Sequence, residues 1–169
     1  SRTAAYPSEM AYKTPEETVR SIMESAHVAS LTYLDSAGRL VATPMGTQKF
    51  DHPGTTYWIT ERDSDKVTHL SADPRVNLFY AGGEGYVSLT GTARVINDEA
   101  RLKELWGTFT DSFMEGGPED PNSVLLEVTA ETAQWWDTPG AVATAVAVVK
   151  AKVTGDETDL GDSGITPLS

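Results

Sequence analysis

Residues 55–66, Thr-Thr-Tyr-Trp-Ile-Thr-Glu-Arg-Asp-Ser-Asp-Lys, constrain the fold more than any other stretch of this chain. Thr55 to Thr60 are all β-branched or aromatic. Such side chains lose rotamer freedom in a helix and pack well on a pleated surface, so the segment reads as a strand. The pattern then changes: Asp63 or Ser64 is placed to cap a helix whose apolar stripe begins at Val67 and Leu70. Lys66 falls in the first helical turn, where the macrodipole disfavours a cation by about 0.3–1 kcal/mol. Two readings follow. Thr60, Ser64, the free first-turn N–H groups and Lys66 converge on an anion, with phosphate the leading candidate; or the helix is simply capped and Lys66 is solvated. These residues alone leave both open.

The remaining elements are short. Thr14-Pro15-Glu16-Glu17 is a capping box with proline at the first helical position, followed by an amphipathic stripe of Val19, Ile22 and Met23. Strands are expected at Val28–Leu34 and Leu40–Phe50, joined by the turn Asp35-Ser36-Ala37-Gly38. The helix from Ser64 stops before Pro74, and Val76–Tyr80 is a strand. Tyr86–Ile96 is a long strand interrupted by Gly91, which marks a bulge or a barrel corner. Asp98 caps a helix carrying Leu102, Leu105, Trp106 and Phe109. Ser123–Val128 is a strand that Trp136 extends, Pro139–Val153 fits helix or strand, and the tail from Gly155 is acidic and glycine-rich. Six strands with short connecting helices point to a mainly β fold, a small antiparallel barrel with peripheral helices. One domain over 1–169 is expected, with a short N-terminal arm and a C-terminal helix plus acidic tail.

Thirteen basic against 25 acidic residues give a formal net charge of −12. That balance suits neither nucleic acid nor an anionic membrane, so a phosphate site here must be local. The absence of cysteine excludes disulfides, thiolate metal sites and cysteine nucleophiles. The longest mainly apolar run, Ala141–Val149, is too short to span a bilayer. The N-terminus shows no charged-then-apolar signal pattern, and a cytoplasmic protein is the expectation.

His27, His52 and His69 have no ligand spacing, so no metal centre is expected. No Gly-x-Ser-x-Gly elbow is present, the carboxylates lie mainly on helix faces and in the tail, and no side chain is marked as catalytic. Thr43-Pro44-Met45 lies inside a strand, where proline indicates an edge, a bulge or a barrel corner. A bulge there would bring backbone close to a flat ligand. Trp135-Trp136 suits either stacking on an aromatic cofactor or closing a core or dimer interface.

In order along the chain stand Ala-Thr-Pro-Met at 42–45, Trp-Ile-Thr at 58–60, Ser-Asp-Lys at 64–66 and Asp-Pro-Arg-Val-Asn-Leu-Phe at 73–79. Val-Ser-Leu-Thr-Gly-Thr-Ala at 87–93, Leu-Trp at 105–106 and Trp-Trp-Asp at 135–137 follow. This series resembles the pyridoxamine 5′-phosphate oxidase-like family of split-barrel flavoproteins, and within it the bacterial general-stress-protein branch. The resemblance spans residues 14–165, and 150–160 look like the branch's C-terminal segment. It implies a six-stranded antiparallel split barrel and a homodimer that binds FMN at the subunit interface. Thr60, Ser64 and Lys66 would hold the phosphate, and Thr43, Pro44 and Met45 would run beside the flavin. Gln48 would reach it from further along the same strand, and Trp136 would neighbour the ring from the partner subunit.

Two departures bear on that picture. Thr43 stands where relatives often carry an arginine for the phosphate, and Asp65 where the true oxidases carry another. Each lost charge-assisted contact is worth roughly 1.5–3 kcal/mol. The true oxidases also grip pyridoxamine phosphate with arginine and histidine near their C-termini, whereas the last arginine here is Arg101 and the last histidine His69. The expectation is an FMN-binding protein with flavin-dependent oxidoreductase activity in a stress response, not a true pyridoxamine phosphate oxidase. The alternatives are a non-enzymatic flavin- or ligand-binding stress protein and a deazaflavin-dependent reductase; FAD is an alternative cofactor.

Overall fold

The computed structural model describes residues 13–138, 141–155 and 161–168. The N-terminal arm, the expected helix start at Pro139 and the acidic residues 156–160 lie outside them. The elements are α1 (Pro15–Ser25), β1 (Val28–Leu34), β2 (Leu40–Gly46), β3 (Thr55–Glu61), α2 (Asp65–Ala72), β4 (Arg75–Gly82) and β5 (Gly85–Ile96). There follow α3 (Glu99–Leu105), α4 (Thr108–Phe113), β6 (Ser123–Asp137), α5 (Ala141–Thr154) and β7 (Ser163–Pro167).

The strands form one antiparallel sheet in the order β2-β1-β4-β5-β6-β3, with β7 added to β6. The sheet is not closed: β2 and β3 end this order, and among the described residues β7 pairs with β6 alone. This mainly antiparallel sheet with peripheral helices is the split-barrel architecture expected from the sequence. Pro44 sits on edge strand β2, paired across from Ser30 with no register shift, so its missing N–H costs no ladder bond.

Alternation along the strands builds the core. Ala29, Leu31, Leu78, Tyr80, Val87, Leu89, Leu126 and Val128 point inward and are buried, and Val19, Ile22 and Met23 of α1 and Val67 and Leu70 of α2 pack against them. The register of β5 on β6 shifts between Thr90 and Gly91, at the glycine that marked a bulge. A Cβ on Gly91 would lie 2.0 Å from the Thr129 carbonyl oxygen, so only glycine fits. The bulge also resets the parity of β6: Val128 and Ala130 face inward before it, Ala133 after it.

On the outer face the two halves of the sheet differ. Ile59 and Leu125 are covered by Leu102 and Met114, which arrive with α3 and after α4. The other half stays bare. Phe79, Tyr86 and Trp136 are exposed there, with Phe79 stacked on Tyr86 at 6.1 Å and tilted against Trp136 at 6.5 Å.

Three expectations need correction. β2 ends at Gly46 rather than Phe50, because its partner β1 begins only at Val28: Thr47 makes one last ladder bond, N–H to His27 O, and its hydroxyl donates to Ala26 O. The helix expected through Phe109 is two helices, broken at Trp106 and Gly107, both of extended backbone. The tail contains β7, which pairs with Thr132–Trp136 and closes over Trp135, leaving no room for a Cβ at Gly164. By contrast, the C-terminal helix expected over 139–153, with strand left open, is present as Ala141–Thr154. Among the described residues, no helix is long and apolar enough to cross a membrane.

Candidate functional site

β3 ends at Glu61 and the chain enters α2 four residues later, so the helix N-terminus lies beside the strand's end. Ser64 occupies the N-cap position, yet its side chain makes no capping hydrogen bond. Its Oγ is buried and has no partner. A buried hydroxyl without a partner costs about 1–3 kcal/mol, so the arrangement is stable only if something else uses that oxygen. The first-turn N–H groups of α2 likewise have no intrahelical acceptor. Lys66 does not extend into solvent: it is half-buried, and its Nζ donates to Thr60 Oγ1 at 3.0 Å. Burial holds its pKa below the usual lysine range, against the carboxylates of Glu61 and Asp65, which favour the charged form.

These groups open onto a cleft of about 240 Å³ lined by Pro44, Met45, Gly46, Gln48, Ile59, Thr60, Glu61, Ser64, Lys66, Phe113 and Met114. Its polar end is the α2 N-terminus with Lys66, and its apolar end lies between β2 and the Phe113–Met114 segment. Larger hollows of about 330, 480 and 480 Å³ exist elsewhere. Among the described residues the buried polar atoms without partners are Ser64 Oγ and Trp135 Nε1, and neither residue lines those hollows. Unsatisfied donors and acceptors, rather than volume, single out the smaller cleft.

Six of the eight residues read from the sequence therefore share one cleft: Pro44, Met45, Gln48, Thr60, Ser64 and Lys66. Thr43 does not line it; it alternates with Pro44 on β2 and pairs with Leu31. Trp136 is not there either. It lies twelve residues along β6 from Val124, the partner of Thr60, which is about 40 Å at ~3.3 Å per residue. Gly46, Ile59, Glu61, Phe113 and Met114 were not anticipated. Phe109 and Phe113, spaced i,i+4 after Gly107, were the available signal for Phe113 and Met114.

The description "Pyridoxamine 5′-phosphate oxidase like" belongs to the family whose sequence pattern matches residues 14–159. The chain belongs to this family. It is 32% identical over 89 residues to general stress protein 26 of Bacillus subtilis (strain 168), covering 48% of this chain and 62% of that protein. It spans about three fifths of the length of the curated relatives it matches. The fold superposes on a Jannaschia sp. CCS1 protein assigned to general stress protein 26, with a TM-score of 0.76 and 25% identity over 89% of this chain and 96% of that one. It also superposes on the general stress FMN/FAD binding protein of Xanthomonas citri, with a TM-score of 0.62 and 26% identity over 75% and 89% of the two chains.

Proposed function

We propose that this split-barrel protein is a cytoplasmic homodimer that binds FMN in the Lys66 cleft and acts as a flavin-dependent oxidoreductase, not as a pyridoxamine phosphate oxidase. The observation that carries the reading is the unpartnered Ser64 Oγ at the α2 N-terminus, beside the Lys66 Nζ–Thr60 Oγ1 bond. A phosphate monoester satisfies all three at once: it accepts from the serine hydroxyl, the first-turn amides and the ammonium. Glu61 and Asp65 partly offset the desolvation that holds the Lys66 pKa down. The apolar end, with Pro44, Met45 and Met114, offers a flat wall and excludes water, while Gln48 presents an amide able to donate and accept at a ring edge. Flavin bound there supplies the electron or hydride chemistry; the protein supplies position and field. Among the described residues Lys66 is the only cation lining the cleft, which fits the missing arginines at 43 and 65 and suggests weaker phosphate binding than two further cations would give.

The homodimer is supported by what one chain lacks. At about 240 Å³ the cleft is smaller than the roughly 300–1,000 Å³ usual for ligand sites, so a second surface must complete it. The bare outer face supplies one. Ser30 pairs with both Pro44 and Phe79, so that face runs from the edge beside the cleft to the Phe79–Tyr86–Trp136 patch. In a two-fold pairing of such faces the Trp136 of the partner subunit approaches the ring.

The test is the absorption spectrum of purified protein, titration with FMN, FAD and a deazaflavin, and then reduction with NADH or NADPH. Saturable FMN binding followed by bleaching supports the reading. A colourless protein indifferent to added FMN removes it; bound flavin that neither donor reduces leaves a flavin-binding stress protein; preference for the deazaflavin reassigns the cofactor.

A further inference from the structure

α4 is built inside out. Its buried residue is Thr110, while Phe109 and Phe113 are 66% and 52% exposed. A surface helix in water normally places its aromatic residues inward and its threonine outward. The two rings are not idle: they meet edge to face at 5.2 Å, and Phe113 lines the apolar end of the Lys66 cleft. Phe109 is seated on β2, with its Cε1 3.1 Å from the point a Cβ on Gly46 would occupy. Trp106 Nε1 donates to Asp111 Oδ1 at 3.3 Å and so ties α4 to the end of α3. Neither phenylalanine belongs to the hydrophobic cluster beneath the helix.

We propose that Phe109 and Phe113 form an aromatic platform that takes a planar, uncharged aromatic molecule at the mouth of the cleft, against the flavin. This rests on the flavin reading above and names the ligand class of the same site. Two exposed rings inclined at 63° offer one face and one edge to a flat guest, the geometry that aromatic groups prefer. Charge decides against an anionic guest. Lys66 faces the phosphate end, Glu61 lines the cleft, α4 carries Asp111, Glu115 follows it, and the chain has a net charge of −12. An acidic surround repels carboxylates, sulfonates and phosphates from the mouth while leaving neutral rings unaffected.

The probes are 2-naphthol and 2-naphthalenesulfonate, alike in ring and opposite in charge behaviour at neutral pH, titrated calorimetrically into FMN-loaded protein. Wild type binds the naphthol at least tenfold more tightly than the sulfonate. Phe109→Ala weakens naphthol binding about tenfold, and Phe109→Trp, which keeps a ring, restores it. FMN affinity and molecular mass are measured on the same samples. A wild type that takes no FMN overturns the flavin reading and this proposal with it. A protein that holds FMN but binds naphthol equally well with Phe109→Ala overturns the platform alone. A Phe109→Ala protein that turns monomeric with unchanged naphthol affinity makes α4 a subunit contact and also overturns it.

Discussion

Replacing Lys66 with methionine separates the two readings that the sequence leaves open, because they predict opposite effects on affinity and stability. The ammonium donates to Thr60 Oγ1 at 3.0 Å in a half-buried setting and faces the orphaned Ser64 Oγ across the α2 N-terminus. A hydrogen bond to a charged group is worth roughly 1.5–3 kcal/mol, so its loss weakens FMN binding by roughly 10- to 150-fold. Stability behaves differently. Burial depresses the folded-state pKa of Lys66 below the ordinary lysine value of 10.5, so charging it costs the folded state free energy. The unfolded chain holds more protons than the folded chain between the depressed pKa and 10.5, so this group's contribution to stability rises with pH across that window and is constant below it. Methionine removes the penalty but leaves Thr60 short of one donor, at about 1 kcal/mol. The two changes offset, and apo Lys66→Met should unfold within about 1 kcal/mol of wild type at neutral pH. A bound phosphate opposes the shift and raises the pKa of Lys66 again. Wild-type affinity for FMN should therefore be flat above the phosphate's second pKa of about 6 and decline as pH rises through the depressed lysine pKa. The methionine variant should lack that alkaline decline. Fluorescence titration of FMN from pH 6.5 to 10, with urea unfolding of both apo proteins, measures each quantity. Equal FMN affinity in the two proteins refutes the phosphate role; a loss of more than about 3 kcal/mol in stability makes Lys66 structural instead.

Gly91→Ala forces a Cβ to within 2.0 Å of Thr129 O and 2.8 Å of Ala130 Cα, so the β5–β6 ladder must part. Urea unfolding should show a loss of about 1–3 kcal/mol, and a loss below 0.5 kcal/mol, on the ~1 kcal/mol scale of ordinary substitutions, would deny the close approach. Trp136→Glu places a charge in the exposed Phe79–Tyr86–Trp136 patch; if that patch joins two subunits, light scattering should show the dimer dissociation constant rising about 30-fold or more, and an unchanged dimer excludes it. FMN-loaded protein given pyridoxamine 5′-phosphate should form no pyridoxal phosphate, since among the described residues the cleft lining holds neither arginine nor histidine; turnover sinks that expectation.

What could be read from the sequence was what a few neighbouring residues decide among themselves. Gly91 and Pro44 announce a bulge and an edge because each changes what the backbone can do at one position. The junction from Thr60 to Lys66 is legible for the same reason: β-branched residues end where a cap begins, and six residues carry hydroxyl, amide and ammonium to one place. The features that escaped need a partner distant in sequence. β2 stops at Gly46 because its partner β1 begins only at Val28, after the α1–β1 junction. β7 exists because β3 pairs with β6 only from Ser123 to Thr129, leaving the edge beyond open. An unpaired edge recruits a strand even from a segment as poor in strand formers as Ser-Gly-Ile-Thr-Pro.

The site divides along the same line, and that division has a functional consequence. Its polar end is encoded locally and needs only a strand, a turn and a helix to form. Its apolar end depends on Phe113 and Met114, brought from more than forty residues away to face Ser64 and Lys66. A mutation at the polar end therefore acts on the phosphate and little else. One that unseats α4, such as a side chain at Gly46 driven into Phe109, changes the ring end without touching the phosphate contacts. If the cleft holds FMN as proposed, Gly46→Ala should retain the phosphate-dependent part of its affinity and lose discrimination at the ring. Comparing FMN with riboflavin, which lacks the phosphate, tests this directly. In Gly46→Ala the ratio of the two affinities should stay at the wild-type value while both fall; in Lys66→Met the ratio should collapse. The reverse pattern would mean that the two ends of the cleft do not divide the cofactor between them.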